Sequence, residues 1–305
     1  MYSNQNSFQR LGYGYETRAL QNVHSAFQKF YDAITLTGDQ RDVCNTRKDH
    51  IVDLLAKDFE ILDAFATGSI PKFTALRKPH CDADVMVVLH YGKHIKDRKP
   101  SEVLQSVRDS LAESKTNVRK NGQAVTLHYK SWPNVDIVPV ARVVNDDGTV
   151  SHYSVPDMNT ETWITSRPRK HANAIADRVK TFGSEFRRIV KMIKWWNLHH
   201  SEYLQSYHIE VLALTILQGS FSDYPWNVYQ FFKEAHTLTQ NNLWYEDAYA
   251  DNYLDYWNRQ EALKRLATAR DKAYEAWYAS YSLSDHNKAM RLWKQIFGEE
   301  FPTNG

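Results

Sequence analysis

Cysteine is scarce in this chain, with only Cys44 and Cys81 among 305 residues. Two thiols cannot build a disulfide framework or a zinc site made of cysteine pairs, although histidine-based metal sites stay open. Long apolar runs are missing as well. No stretch approaches the roughly 18 consecutive apolar residues a membrane helix needs, and residues 1–20 lack the short apolar segment of a secretory signal. The cytoplasm is the expected compartment, with no membrane partner. Charge of one sign is also lacking, because 38 Lys and Arg face 36 Asp and Glu for a net +2. A protein whose main work is gripping a nucleic-acid backbone carries a strong basic excess. The basic clusters at 93–99 and 167–171 are local. Walker A, G-x-G-x-x-G and G-x-S-x-G patterns are all absent, which removes P-loop, dinucleotide-binding and α/β-hydrolase readings.

What is present suits a sizeable two-lobed protein. At 42% hydrophobic and 24% charged residues, the chain can bury a substantial core. Apolar residues recur at helical spacing from Ala19 to Ile34, and Thr37-Gly38-Asp39 breaks the pattern. Residues 42–65 predict a second, long core helix that runs out before Gly68. The β-branched runs 85–90, 124–129 and 135–140 predict neighbouring strands of one sheet. A turn follows at Asn145–Gly148, and an irregular crossing segment is expected from Val155 to about Pro168. Beyond Pro168 the pattern is helical, with a stripe of Ile189, Ile193 and Trp196, a run from Ile209 to Leu217, and a long aromatic-rich helix over 258–279. The domains expected are 1–168, with supporting N-terminal helices, and 169–305, a helical lobe. Residues 301–305 read as a frayed tail.

The chemistry lies in three acids. Asp82 and Asp84 are separated by one residue at the mouth of a strand, so both side chains project from one face. Their ionised forms repel unless a cation sits between them, and such hard oxygen donors suit Mg²⁺. Asp-x-Asp alone is a weak signal. Upstream stands Gly68-Ser69 with Thr74 five residues on, where glycine lets the backbone approach an anion and amide and hydroxyl groups donate to phosphate. Downstream, Asp136 sits inside Val135–Val140, where a lone carboxylate would be costly to bury without a partner. Three acids arranged so can hold two metal ions for an in-line displacement. His128, His199 and His200 match no ligand spacing and read as surface or capping residues.

Residues 67–90, TGSIPKFTALRKPHCDADVMVVLH, resemble the active-site segment of polymerase-beta-like nucleotidyltransferases. The branch they are most similar to is the bacterial cGAS/DncV-like nucleotidyltransferases, the CD-NTases. Gly68, Ser69, Thr74, Asp82, Asp84 and Asp136 match the family pattern one by one, while Cys81 replaces the usual serine before the first acid. The likeness continues through 163–168 and 191–210 and covers most of residues 60–217. It implies that Lys194 reaches the triphosphate, that Ser206 binds phosphate, and that Tyr207 stacks on a base. Ser166 lies where the family passes the nucleobase edge, and serine there, in place of the asparagine that goes with pyrimidine use, implies a purine, most simply ATP.

The resemblance implies an α+β fold: a nucleotidyltransferase lobe with a mixed sheet, a helical lobe, and an active site in the cleft between them. The implied activity is metal-dependent joining of nucleoside triphosphates into a cyclic di- or oligonucleotide for antiphage signalling. Two Mg²⁺ ions are the expected cofactors, with Mn²⁺ able to substitute. No DNA should be required. Regulatory partner proteins, or conjugation through the tail ending in Gly305, are further implications. Two rivals share the fold, a regulatory nucleotide-binding protein and an RNA-tailing or CCA-adding enzyme. Intact acids argue against the first and the +2 charge against the second.

Overall fold

The computed structural model describes residues 22–219, 221 and 223–303. They form two compact units, Leu36–Ala176 and Asp177–Gly305, the latter joined by the residues up to Thr35. The first helix, α1, runs over residues 22–34 and therefore belongs with the C-terminal helices rather than with residues 36–168. Its aromatic residues explain the allegiance. Phe27 meets Trp293 edge-on at 5.0 Å, and Phe30 packs on Phe297 at 4.6 Å. Phe301 is fully buried against Phe27 at 5.2 Å, so the chain at 301 is core, not a frayed end. Gly305 lies outside the described residues, and with it the expected conjugation handle.

The sheet unit begins with α2 (Gly38–Leu55), started by a capping box in which Thr37 and Gln40 satisfy each other's backbone N–H groups. The residues that break the first helical pattern thus begin the second helix. The helix stops at Leu55, and Ile61–Thr67 forms strand β1 instead of its last turns. Ile61, Leu62 and Phe65 satisfy helical spacing, but the seven residues gain a ladder against β2 (Ala83–Leu89). That tertiary pairing overrides the local pattern.

After α3 (Tyr91–His94) and α4 (Pro100–Ala112) come β3 (Val118–Asn121), β4 (Ala124–Leu127) and β5 (Val135–Val144). The strand order is β1-β2-β5-β4-β3, with β2 and β5 parallel and the other neighbours antiparallel. The sheet is therefore mixed, as expected. The end of β5 pairs with β6 (Val150–Asp157), which pairs in turn with β7 (Thr162–Ser166). The segment expected to be irregular is thus a hairpin. Pro156 is tolerated there because it pairs with Trp163 beyond the β5 ladder, which ends at Ser154.

Alternation along the central strands sorts the faces. Val85, Val87, Val135 and Ile137 join Ile51 of α2 and Val103, Leu104 and Val107 of α4 in the larger core. Met86, Val88 and Val140 face the other way and meet Tyr153 and Val155 of β6. Asp84 and Asp136 share this second face, at the strand ends.

The helical unit holds the end of α5 (Pro168–Phe182 spans the boundary), α6 (Glu185–His199), α7 (Ser206–Ile216), α8 (Tyr224–Leu238), a short hairpin of β8 (Trp244–Tyr245) and β9 (Ala248–Tyr249), α9 (Tyr256–Tyr281) and α10 (His286–Phe297). No helix among the described residues is long and apolar enough to cross a membrane.

Candidate active site

Asp84 is the second residue of β2 and Asp136 the second of β5. The parallel register pairs them directly, so their backbones stand ~4.8 Å apart with both side chains on one face. Each acid is braced by a threonine strand. Thr67 of β1 pairs opposite Asp84, and Thr126 of β4 pairs opposite Asp136 and donates its hydroxyl to Asp136 Oδ1 at 2.6 Å. Asp82 precedes β2, where the Ala83 N–H donates to the Asn134 carbonyl at 3.0 Å. Burial raises the Asp82 carboxyl above its ordinary range, and the negative charge of Asp136 raises it further. Backbone and side-chain hydrogen bonds from Asn134 and the charge of His128 oppose this without cancelling it.

Gly68 ends β1 in the left-handed region at φ +69, which favours glycine. A Cβ built there would stand 1.8 Å from Asp84 Oδ2, so no other residue lets this backbone approach the carboxylate. The turn it opens is closed by Thr74, whose N–H donates to the Ser69 carbonyl at 3.0 Å and whose hydroxyl reaches the same oxygen at 3.5 Å. Thr74 is fully buried and supports the Gly68-Ser69 turn from within. Cys81 uses its carbonyl to accept from Trp132 Nε1 at 2.7 Å, and both cysteines are free thiols.

Among the described residues no three carboxylate, imidazole or thiol side chains are gathered closely enough to enclose an ion as they stand. The donor set nevertheless fits hard divalent cations. Asp82 and Asp136 repel each other, Asp84 and Asp136 are matched in register, and the missing side chain of Gly68 leaves space at Asp84 Oδ2.

Lys194, Ser206 and Tyr207 belong to the helical unit. Lys194 Nζ donates to Glu210 Oε1 at 2.6 Å, with both side chains buried. Ser206 is the first residue of α7, one turn before Glu210 on the same face. The start of α7 is fixed from outside. Gln205 N–H donates to the Tyr253 hydroxyl at 2.8 Å, and that hydroxyl lies 2.9 Å from His208 Nδ1. Burial pushes His208 down to about 4, so the ring meets this hydroxyl uncharged. Tyr207 is 42% exposed and meets Tyr245 of β8 edge-on at 6.4 Å. Its phenol is pushed up to about 12 by burial and then by the charge of Glu246, and stays neutral. Ser166 ends β7, half-buried opposite Tyr153.

The buried pair supplies a stability test. Lys194→Ala alone leaves the Glu210 carboxylate buried without this partner, and is expected to cost about 3–5 kcal/mol. The double variant Lys194→Met/Glu210→Leu should recover most of that, as read by denaturant unfolding.

Thr126, Asn134, His128 and Tyr245 also stand at these sites, although no motif in the sequence points to them. Only the spacing of Asn134, two residues before Asp136 as Asp82 stands two before Asp84, is a usable signal. The others become neighbours only through strand pairing and the hairpin.

Register-matched acids beside a Gly-Ser turn on a mixed sheet define a nucleotidyltransferase of the polymerase-beta-like fold. The model of the Second Messenger Oligonucleotide or Dinucleotide Synthetase domain matches residues 22–178. The chain belongs to that family, within the cGAS/DncV-like nucleotidyltransferases. It is 25% identical over 214 residues to a probable cyclic nucleotide synthase of Bacillus cereus, covering 66% of this chain and 63% of that protein. It is 24% identical over 267 residues to the cyclic AMP-AMP-AMP synthase of an Acinetobacter species, covering 78% and 72%. Solved structures of Escherichia coli MS115-1 CdnC, one with ATP and one in a HORMA-deltaN complex, superpose with TM-scores of 0.73. They are 20% and 19% identical and cover 92% of this chain and 98% of CdnC.

Proposed function

We propose that this protein joins nucleoside triphosphates, ATP among them, into a cyclic di- or oligonucleotide that serves antiphage signalling. The observation that carries the proposal is the pairing of Asp84 with Asp136 beside a Gly68 backbone that only glycine can provide. Asp82, Asp84 and Asp136 would hold two Mg²⁺ ions, or Mn²⁺ in their place. Bound metal would supply charge neutralisation for the triphosphate and a lowered pKa for the attacking ribose hydroxyl. The chain's own residues bind and orient. Thr126 fixes the rotamer of Asp136, Asn134 that of Asp82, and the buried Thr74 the Gly68-Ser69 turn, whose amide and hydroxyl donate to the terminal phosphates. Ser206 and the N-terminal turn of α7 offer further donors to phosphate, and Lys194 is tied to that turn through Glu210. Attack on the α-phosphorus releases pyrophosphate, and a second attack closes the ring.

The exposed face of Tyr207 would stack on a base. Tyr207→Ala is expected to raise KM for ATP by about 1–3 kcal/mol of lost stacking with kcat and unfolding temperature little changed. Ser166 would meet the base edge, and Ser166→Asn should move selectivity toward pyrimidines by roughly tenfold, the value of one hydrogen bond. Competition among four nucleoside triphosphates in both proteins reads this directly. The small net charge supports turnover without added DNA. The HORMA-deltaN complex of CdnC supports a protein partner as regulator of this chain too.

The whole proposal is tested by incubating the purified protein with the four triphosphates and Mg²⁺ or Mn²⁺, followed by mass spectrometry after phosphatase treatment. Phosphatase-resistant cyclic products are expected. Linear tails on added RNA, without cyclic products, would favour the RNA-tailing reading.

A further inference from the structure

The helical unit contains a cavity of about 340 Å³ that the proposed chemistry does not use. One stripe of α9 forms a wall, with Arg265 and Lys272 separated by the small residues Thr268 and Ala269. Their i, i+3, i+4, i+7 spacing puts the two cations on one face, ~10 Å apart along the helix axis. The facing wall is the end of α6 (Trp196, His199, His200) with Gln295 of α10. No Asp or Glu is among the described residues that line it. Arg265 meets Glu261 on its own helix only at 3.9 Å.

Two helix C-termini point their carbonyls toward this region, which by itself disfavours an anion. Arg265 and Lys272 offset that. His199 Nδ1–H donates to the Trp195 carbonyl at 2.9 Å and His200 Nε2–H to the Ile296 carbonyl at 2.8 Å. A carbonyl only accepts, so these bonds fix Nδ1 of His199 and Nε2 of His200 as the nitrogens that carry the proton. Burial lowers the His200 imidazole below the usual histidine range; its hydrogen bond to the Ile296 carbonyl opposes this, and the positive charges of His199, Arg265 and Lys272 act with burial. The cavity is therefore a concentration of positive potential in a concave, partly desolvated space, where a bound anion gains most. Immediately after α6, Ser201 and Glu202 both hold left-handed backbone, at φ 75 and 51, a strained pair of a kind that clusters at ligand clamps.

We infer that this cavity binds a small polyphosphorylated ligand of mononucleotide size, with Arg265 and Lys272 holding separate phosphate groups. Its volume lies at the small end of the ~300–1,000 Å³ typical of ligand pockets. Such a ligand would be an effector, since the cavity lacks the acids of the catalytic strands.

The test is isothermal titration calorimetry of the full chain in EDTA, so that nucleotide does not bind through metal. Tripolyphosphate, ATP and adenosine are titrated into wild type, Arg265→Gln/Lys272→Gln, and Thr268→Glu, which sets a carboxylate between the two cations. Tripolyphosphate and ATP are expected to bind wild type, and adenosine is not. Both variants should bind roughly tenfold or more weakly, from loss of charge-assisted hydrogen bonds, with unfolding temperatures matching wild type. Tighter binding of ATP than of tripolyphosphate marks the ligand as a nucleotide, and equal binding marks it as a polyphosphate. Equal affinity in wild type and a folded variant, or no binding of either phosphorylated probe to wild type at millimolar concentration, overturns the inference.

Discussion

Asp136→Asn is expected to remove nucleotide turnover, by roughly 10³-fold or more, because metal-borne charge stabilisation of several kcal/mol depends on that carboxylate. The fold should survive. Asn is isosteric, its amide oxygen can still accept from Thr126, and the position is half-buried at a strand end rather than inside the core. Stability without metal should hold or rise slightly. Asp82 is held above its ordinary range first by burial and then by Asp136, so its ionised form is disfavoured in the folded state. What it contributes to stability is greatest at low pH, where it is protonated. That contribution falls as pH rises from the unfolded carboxyl value to the raised folded one. Taking away the neighbouring charge lessens this loss at neutral pH. In wild type, Mg²⁺ should relieve the same repulsion, raising the unfolding temperature of wild type more than that of Asp136→Asn. Thermal unfolding with and without Mg²⁺ measures both effects, and an unfolded Asp136→Asn protein would return Asp136 to a packing role.

Gly68→Ala carries the second large effect. The new methyl group cannot coexist with the Asp84 carboxylate, whose Oδ2 lies 1.8 Å from the Cβ position. The left-handed backbone adds about 1–2 kcal/mol of strain for alanine. Either Asp84 rotates away or the turn moves, and a displacement of even 1 Å at a reacting centre can cost on the order of 10²-fold. Turnover should therefore fall at least that far, while unfolding shifts by only the strain. Restoration of activity by pairing Gly68→Ala with the shorter Asp84→Ser would contradict the account, because it would make steric relief sufficient and the Asp84 carboxylate dispensable.

Much of the sheet unit was legible in the sequence, because β-branched runs bounded by turn residues carry a two-residue period that little else produces. The acids were legible for a related reason. A charged residue in Val135–Val140 conflicts with its surroundings, and such conflicts mark function. Ile61–Thr67 is ambiguous in the sequence because its apolar residues satisfy helix and strand spacing alike, and only the partner strand decides. The allegiance of α1 was hidden because Phe27 and Phe30 find their partners at 293–301, more than 260 residues away along the chain. The Val150–Ser166 hairpin was obscured by Pro156, which reads as a breaker until its place beyond the β5 ladder is known. The tie of Lys194 to Glu210 could not be read along the chain, because it needs two helices to pack.

The most direct test of the central claim is pyrophosphate release from ATP by the purified wild-type chain and by Asp82→Asn and Asp84→Asn, in EDTA and after Mg²⁺ is restored. Release is expected from wild type only, absent in EDTA and recovered with Mg²⁺, with both variants folded and silent. Undiminished release by either folded variant, or by wild type in EDTA, would contradict the claim.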